Sequence, residues 1–261
     1  MIEQSAYFIR VGAHRFLPQR SCAGAWNPEE LHVSPVNGLL VHEMERWLAE
    51  RRGDGKLVTR ISSDYLGVLG FDECEVRWEV LRPGRAVELV EGVLSQNARA
   101  ALRARVWRLS AGDTSRVQGG ERDPLPALEA GEPFKLSTVW PGDYIASLDM
   151  RTVDGPSPGR TRAWITTPLE IVAGEPTTDL ARFALLVDTA NGIAVRRPPD
   201  EWQFPNVDLT VHLFRQPEGA WVGFDTSVAF GPMGHGLTST DLYDARGHLG
   251  RAAQSLLVRP R

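Results

Sequence analysis

Much that would assign this chain quickly is missing from it. It has only two cysteines in 261 residues, Cys22 and Cys74. They are far apart and carry no metal-ligand spacing, so neither a disulfide framework nor a zinc site is read, and two free thiols in a reducing cytoplasm are expected. No apolar run is long enough to span a bilayer, and the opening residues MIEQS have neither a basic start nor an apolar stretch, which argues against membrane insertion and a signal peptide. The net charge of −4 argues against non-specific binding to nucleic acid or an anionic membrane. The histidines at 14, 32, 42, 212, 235 and 248 show no metal spacing. No phosphate-cradling glycine loop and no dinucleotide fingerprint occurs, so no cofactor is expected.

One serine motif is formally present. Residues 155–159 read GPSPG, a match to the G-x-S-x-G elbow. Pro158 follows the serine, which removes the backbone donor an oxyanion hole needs, and no helical pattern follows. A tight turn is the reading. Residues 231–236 (GPMGHG) read as a hairpin that could carry His235 to a pocket lip. Arginines gather at 46, 51, 52 and 60 and again at 99, 103, 105 and 108. They read as a solvated face or as an anion site for a phosphorylated ligand.

What is present is one plan used twice. Two segments have helical apolar spacing. The first is 37–53, with Leu40, Met44, Trp47 and Leu48 on one side and Gly53 as its stop. The second is 178–191, with Thr177, Thr178 and Asp179 as cap candidates and Asn191-Gly192 at its end. Strands are predicted at 57–65, 74–81, 86–96 and 100–109 after the first helix, and at 207–214, 221–230, 237–243 and 249–258 after the second. The short turns between them imply antiparallel pairing. Residues 111–136 begin with a Gly-, Pro- and charge-rich stretch and read as a linker between repeats at 1–110 and 137–261. A long sheet curled round an apolar helix suits each repeat, and the two sheets can run on into one. The fold class is α+β.

An acid stands out. Asp188 lies near the end of 180–192 (LARFALLVDTANG), a helix with almost no polar face. Such helices are buried, and a buried carboxylate is costly unless paired or used. Burial and the negative helix end both disfavour the ionised form, which makes the group a better proton acceptor. The bland alternative is an acid bonded to nearby backbone or to Arg182. In the last strand, Gly250, Ala252, Gln254, Leu256 and Val258 share the inward face, because the other face carries Arg251 and Arg259. An amide in that apolar row needs partners or a water; a satisfied core glutamine is the alternative. In the strand after the second helix, Val207, Leu209, Val211 and Leu213 face one way and Asp208, Thr210 and His212 the other. Asn206 stands at its start.

The sequences NVDLTVHLFR (206–215), WVGF (221–224) and LYDARGHLGRAAQSLLV (242–258), with LRPGR (81–85) and SQN (95–97) in the first half, resemble the TesB-like acyl-CoA thioesterases. These are duplicated hotdog folds, so the resemblance implies a double hotdog. It implies hydrolysis of an acyl-CoA thioester in fatty acid metabolism, by a water held near the substrate by an aspartate, a Thr or Ser, and a glutamine. Asp188 matches the aspartate and Gln254 the glutamine. Asn206 stands where the hydroxyl residue belongs, and an amide copies a hydroxyl only in part. Backbone donors for the thioester carbonyl are expected at a helix start at Asn37 and Gly38, where glycine leaves room for a carbonyl. The first helix offers only His42, Glu43 and Glu45, with the glutamates exposed, so one active site per chain, in the second half, is expected. A non-catalytic acyl or acyl-CoA binding protein is the rival reading. A hotdog hydratase is a third, and no convincing Asp–His pair supports it. A homodimer is expected from the sheet edges and outer faces.

Overall fold

The computed structural model describes residues 5–51, 55–155 and 157–261. Gly53, Arg52 and the first four residues lie outside these, as does Pro156 of the GPSPG turn. The first half runs β1 (Ala6–Arg10), β2 (Arg15–Pro18), α1 (Val33–Glu50), β3 (Lys56–Tyr65), β4 (Cys74–Arg82), β5 (Val87–Gln96) and β6 (Arg99–Ser110). The second half runs β7 (Glu132–Pro133), α2 (Asp143–Ala146), β8 (Asp149–Thr152), β9 (Arg160–Thr166), β10 (Glu170–Val172), α3 (Asp179–Val187) and α4 (Ala190–Ile193). It ends with β11 (Trp202–Gln203), β12 (Asp208–Leu213), β13 (Val222–Phe230), β14 (His235–Asp244), β15 (Gly247–Leu257) and β16 (Arg259–Pro260).

Fourteen strands form one sheet in the order β10-β1-β2-β4-β5-β6-β3-β12-β15-β14-β13-β9-β8-β7. The halves join at β3–β12, which pair antiparallel with Thr210 opposite Ser62, and these two hydroxyls bond at 3.0 Å on the outer face. The second half also reaches back: β10 pairs parallel with β1 at the far edge, among the described residues the one pairing that breaks the antiparallel expectation. Leu125, in the segment read as a linker, is buried against Trp164 and Tyr243 on the outer face, and Trp164 Nε1 donates to the Pro126 carbonyl at 2.9 Å. At 132–133 that same segment adds a short edge strand to β8.

The helices α1 and α3 lie together inside the curl. Val36, Leu39, Leu40 and Met44 of α1 and Phe183 and Leu186 of α3 are almost fully buried. Each such side chain contributes about 1.5–3 kcal/mol of apolar burial. Gly38 sets how closely the helices cross, because a Cβ there would sit 2.7 Å from the Leu185 Cβ. Thr178 caps α3, its hydroxyl accepting from the Ala181 N–H at 3.1 Å. Ser157 and Arg160 bridge across a turn with Gly159 at φ +75°, so Ser157 stands in a turn and not in a nucleophile elbow.

Candidate active site

Asp188 closes α3 as its C-cap and is 3% exposed. The inward face of β15 alternates as expected: Ala252, Gln254, Leu256 and Val258 are buried, while Arg251, Ser255 and Leu257 are exposed. That alternation delivers Gln254, 1% exposed, to the end of α3. Asn206 reaches the same point through an isolated bridge to Leu256. The structure therefore brings Asp188, Asn206 and Gln254 together. The Asn206 Nδ2 donates to Asp188 Oδ1 at 2.7 Å, and the Gln254 Nε2 donates to the same oxygen at 3.0 Å and to the Asp188 carbonyl at 3.1 Å. Both Gln254 contacts are acceptors, so the amide orientation is fixed by chemistry. The Gln254 Oε1 is buried and has no hydrogen-bond partner among the described residues. Arg182 takes no part in this group; its guanidinium donates to the Thr167 carbonyl at 2.9 Å.

The first half completes the group. The Tyr65 hydroxyl, at the end of β3, donates to Asp188 Oδ1 at 2.9 Å. The Ser34 hydroxyl, in the first turn of α1, donates weakly to Asp188 Oδ2 at 3.4 Å. The acid thus stands at the negative end of α3 and beside the positive end of α1, and four neutral donors favour its charge against the cost of burial. The group draws on both halves: Ser34 and Tyr65 come from the first, Asp188, Asn206 and Gln254 from the second.

A cavity of about 190 Å³ opens beside these groups. Asp188, Asn206, Tyr65 and His32 line it, with an apolar wall that includes Trp26 and Trp140. The two tryptophan rings meet edge-on with centroids 4.7 Å apart, and Phe204 packs against both. His32 is the N-cap of α1; its Nδ1 accepts the Ser34 N–H at 3.2 Å. In the neutral ring the proton is therefore on Nε2, which makes that atom a donor. Burial lowers the His32 pKa, and the nearby Asp188 charge opposes that only in part, so the ring is neutral at pH 7. The sequence offers no convincing Asp–His pair; in the structure His32 and Asp188 line a single cavity.

Three other expectations change. The helix α1 begins at Val33, not at Asn37, because a histidine caps it, with Pro35 tolerated in the first turn. Asn37 and Gly38 consequently lie in its second turn, where Gly38 meets Leu185 and offers no opening to a carbonyl. Asn37 still touches the site, donating to the Tyr65 hydroxyl at 2.9 Å. Glu43 is buried, not exposed, and bonds Arg10 at 2.5 Å. Asp208, facing away, accepts the Ser255 N–H at 2.6 Å and braces the strand pair. Arg103 and Arg105 pair with Glu91, Arg108 with Glu88 and Arg46 with Glu175, which leaves those arginines in ion pairs. His235 is exposed and does not line the cavity. The clusters His42, Glu43 and Glu175 could by spacing hold a cation, but Arg10 already bridges both carboxylates.

The acyl-CoA thioesterase N-terminal domain model matches residues 22–109, and the acyl-CoA thioesterase C-terminal domain model matches residues 116–258. The chain belongs to the acyl-CoA thioesterase family. Its TesB-like, double-hotdog architecture recurs in solved structures at low identity. One is a conserved hotdog protein of unknown function from Alicyclobacillus acidocaldarius, with TM-score 0.72, 12% identity and coverage of 98% of this chain and 97% of that one. A tesB protein of Mycobacterium avium subs paratuberculosis gives TM-score 0.68 at 15% identity, covering 98% and 97%. The acyl-CoA thioesterase II TesB2 of Mycobacterium marinum gives 0.65 at 12% identity, covering 97% and 96%. No curated protein matches the chain. Among the described residues no helix is long and apolar enough to cross a membrane.

Proposed function

We propose that this protein hydrolyses acyl-CoA thioesters by direct attack of a water activated by Asp188. The observation that carries this reading is the Gln254 amide. Its nitrogen is spent on Asp188, while its buried oxygen has no partner among the described residues. A water hydrogen on that oxygen satisfies it, and the second hydrogen then points to the carboxylate. Asp188 takes that proton as the water oxygen bonds the thioester carbonyl carbon. The carbonyl electron pair moves to its oxygen, where the His32 Nε2–H is the available donor. Collapse breaks the C–S bond, and the departing CoA thiolate takes the proton from Asp188, giving free acid and CoA thiol. Asn206 acts through its amide nitrogen, holding the carboxylate rather than copying a hydroxyl. The acyl group lies against the Trp26 and Trp140 wall. The 1–110 repeat supplies His32, Ser34 and Tyr65, and the 137–261 repeat supplies the base. Two copies pair through their outer faces, where Leu109, Phe214 and Leu257 are exposed; light scattering in solution tests this.

Release of CoA thiol from a panel of acyl-CoA esters tests the main reading. Turnover by the wild-type chain, with Asp188→Asn folded by circular dichroism and inactive, is the expected result. Equal turnover by the variant removes the base assignment. Saturable binding without turnover in the wild type makes the protein a binding module. The cavity shared by His32 and Asp188 favours a second reading, hydration of an enoyl-CoA. Loss of enoyl absorbance on mixing would establish it.

A further inference from the structure

Tyr65 belongs to the first half of the chain, yet its hydroxyl bonds the acid of the second. Three hydrogen bonds run in series to that contact. The Ser63 Oγ donates to Asn37 Oδ1 at 3.0 Å, the Asn37 Nδ2 donates to the Tyr65 hydroxyl at 2.9 Å, and that hydroxyl donates to Asp188 Oδ1 at 2.9 Å. Every direction in the series is forced. An amide nitrogen can only donate, so the Tyr65 oxygen accepts from Asn37; a carboxylate can only accept, so the single Tyr65 proton goes to Asp188. The Asn37 Nδ2 also donates to the Val33 carbonyl at 3.2 Å, which ties the series to the first turn of α1. Ser63 and Asn37 are both buried, so water does not compete for these bonds. Burial and the Asp188 charge hold the Tyr65 pKa well above its ordinary value, so the hydroxyl keeps its proton.

The two oxygens of Asp188 are treated unequally. Oδ1 accepts from three donors, Tyr65, Asn206 and Gln254, which leaves it no free lone pair; among the described residues Oδ2 has only the long Ser34 bond. We propose that Tyr65, oriented by Asn37 and Ser63, is a positioning residue that fixes Oδ2 of Asp188 as the oxygen that receives the water proton. The idea rests on the hydrolase reading above. It makes the reaction depend on both repeats, with the base on one and its orienter on the other. Without the hydroxyl, Oδ1 keeps only the two amide donors, the carboxylate is freer to turn, and one donor favouring its charged form is lost.

The test is steady-state hydrolysis of a single acyl-CoA by the wild type, Tyr65→Phe and Asn37→Ser across a pH range, each normalised to folded protein. Tyr65→Phe is expected to lower kcat about 10- to 100-fold with KM little changed. The acid limb of its kcat profile moves to higher pH, because a donor to the charged base is gone. Asn37→Ser keeps the hydroxyl but loses its orientation, so it shifts both quantities in the same direction by less. A merely structural role predicts lower melting temperatures with wild-type kcat and pH profile per folded molecule; that result overturns the relay while leaving the hydrolase reading in place. A wild-type chain that hydrolyses no acyl-CoA overturns both.

Discussion

Each of the two central helices carries a buried acid, Glu43 on α1 and Asp188 at the end of α3, exposed by 4% and 3% respectively. Burial does not distinguish them; their partners do. Glu43 is bonded by Arg10, which also grips Glu175, and Arg46 and His42 pack into the same cluster. Its charge is neutralised by fixed cations, and Arg10 engages both of its oxygens. Asp188 is held only by neutral donors, keeps one lightly bonded oxygen, and stands on a cavity wall. An acid locked by guanidinium is part of the framework. An acid held by neutral donors beside a cavity retains its capacity to take a proton.

The largest effect expected from this contrast is on rate. Asp188→Asn should lower kcat by about 10³–10⁴-fold with the circular dichroism spectrum unchanged, while Glu43→Gln keeps wild-type kcat per folded molecule. Equal loss of kcat in the two variants breaks the contrast. Glu43→Gln should instead appear in urea unfolding, with a loss of about 2 kcal/mol, less than for a fully buried pair because Arg10 is partly exposed. Gly38→Ala drives a methyl group into Leu185 where the helices cross, and should cost about 1–2 kcal/mol by the same measurement. Glu175 gives the smallest effect. Its bonds to Arg10, and then to His42, hold its carboxyl down at about 2, against an ordinary 4.5. Its contribution is therefore complete above pH 4.5 and is lost as pH falls toward 2. Glu175→Gln should flatten the stability profile across that acid range by roughly 1 kcal/mol after solvent screening. An unchanged profile would detach Glu175 from the Glu43 cluster.

The sequence carried the local half of this account. Seven apolar or small neighbours in 180–187 with only Arg182 between them marked Asp188 as buried. The strict alternation of 250–258 put Gln254 inside, and turn residues bounded the eight predicted strands to within two positions. What the sequence hid is non-local. Tyr65 meets Asp188 across 123 residues, and nothing near Tyr65 marks it. Glu43 looked solvated because Arg10 and Glu175, its companions, lie in distant strands and loops. The start of α1 was missed because His32, not a Ser, Thr, Asp or Asn, provides the cap. Gly38 reads in the sequence as a place where a carbonyl could approach; the close neighbour is instead a second helix, and a single sequence does not say which backbone will come near a glycine.

The most direct test of the central claim is a single turnover of excess protein over acyl-CoA in ¹⁸O-water, followed by mass spectrometry of both the released acid and the peptide containing Asp188. Direct attack by an activated water predicts the label in the acid and none in the peptide. Label first in the Asp188 carboxylate, with an unlabelled acid released, would mean that this residue attacks the thioester itself and would contradict the account.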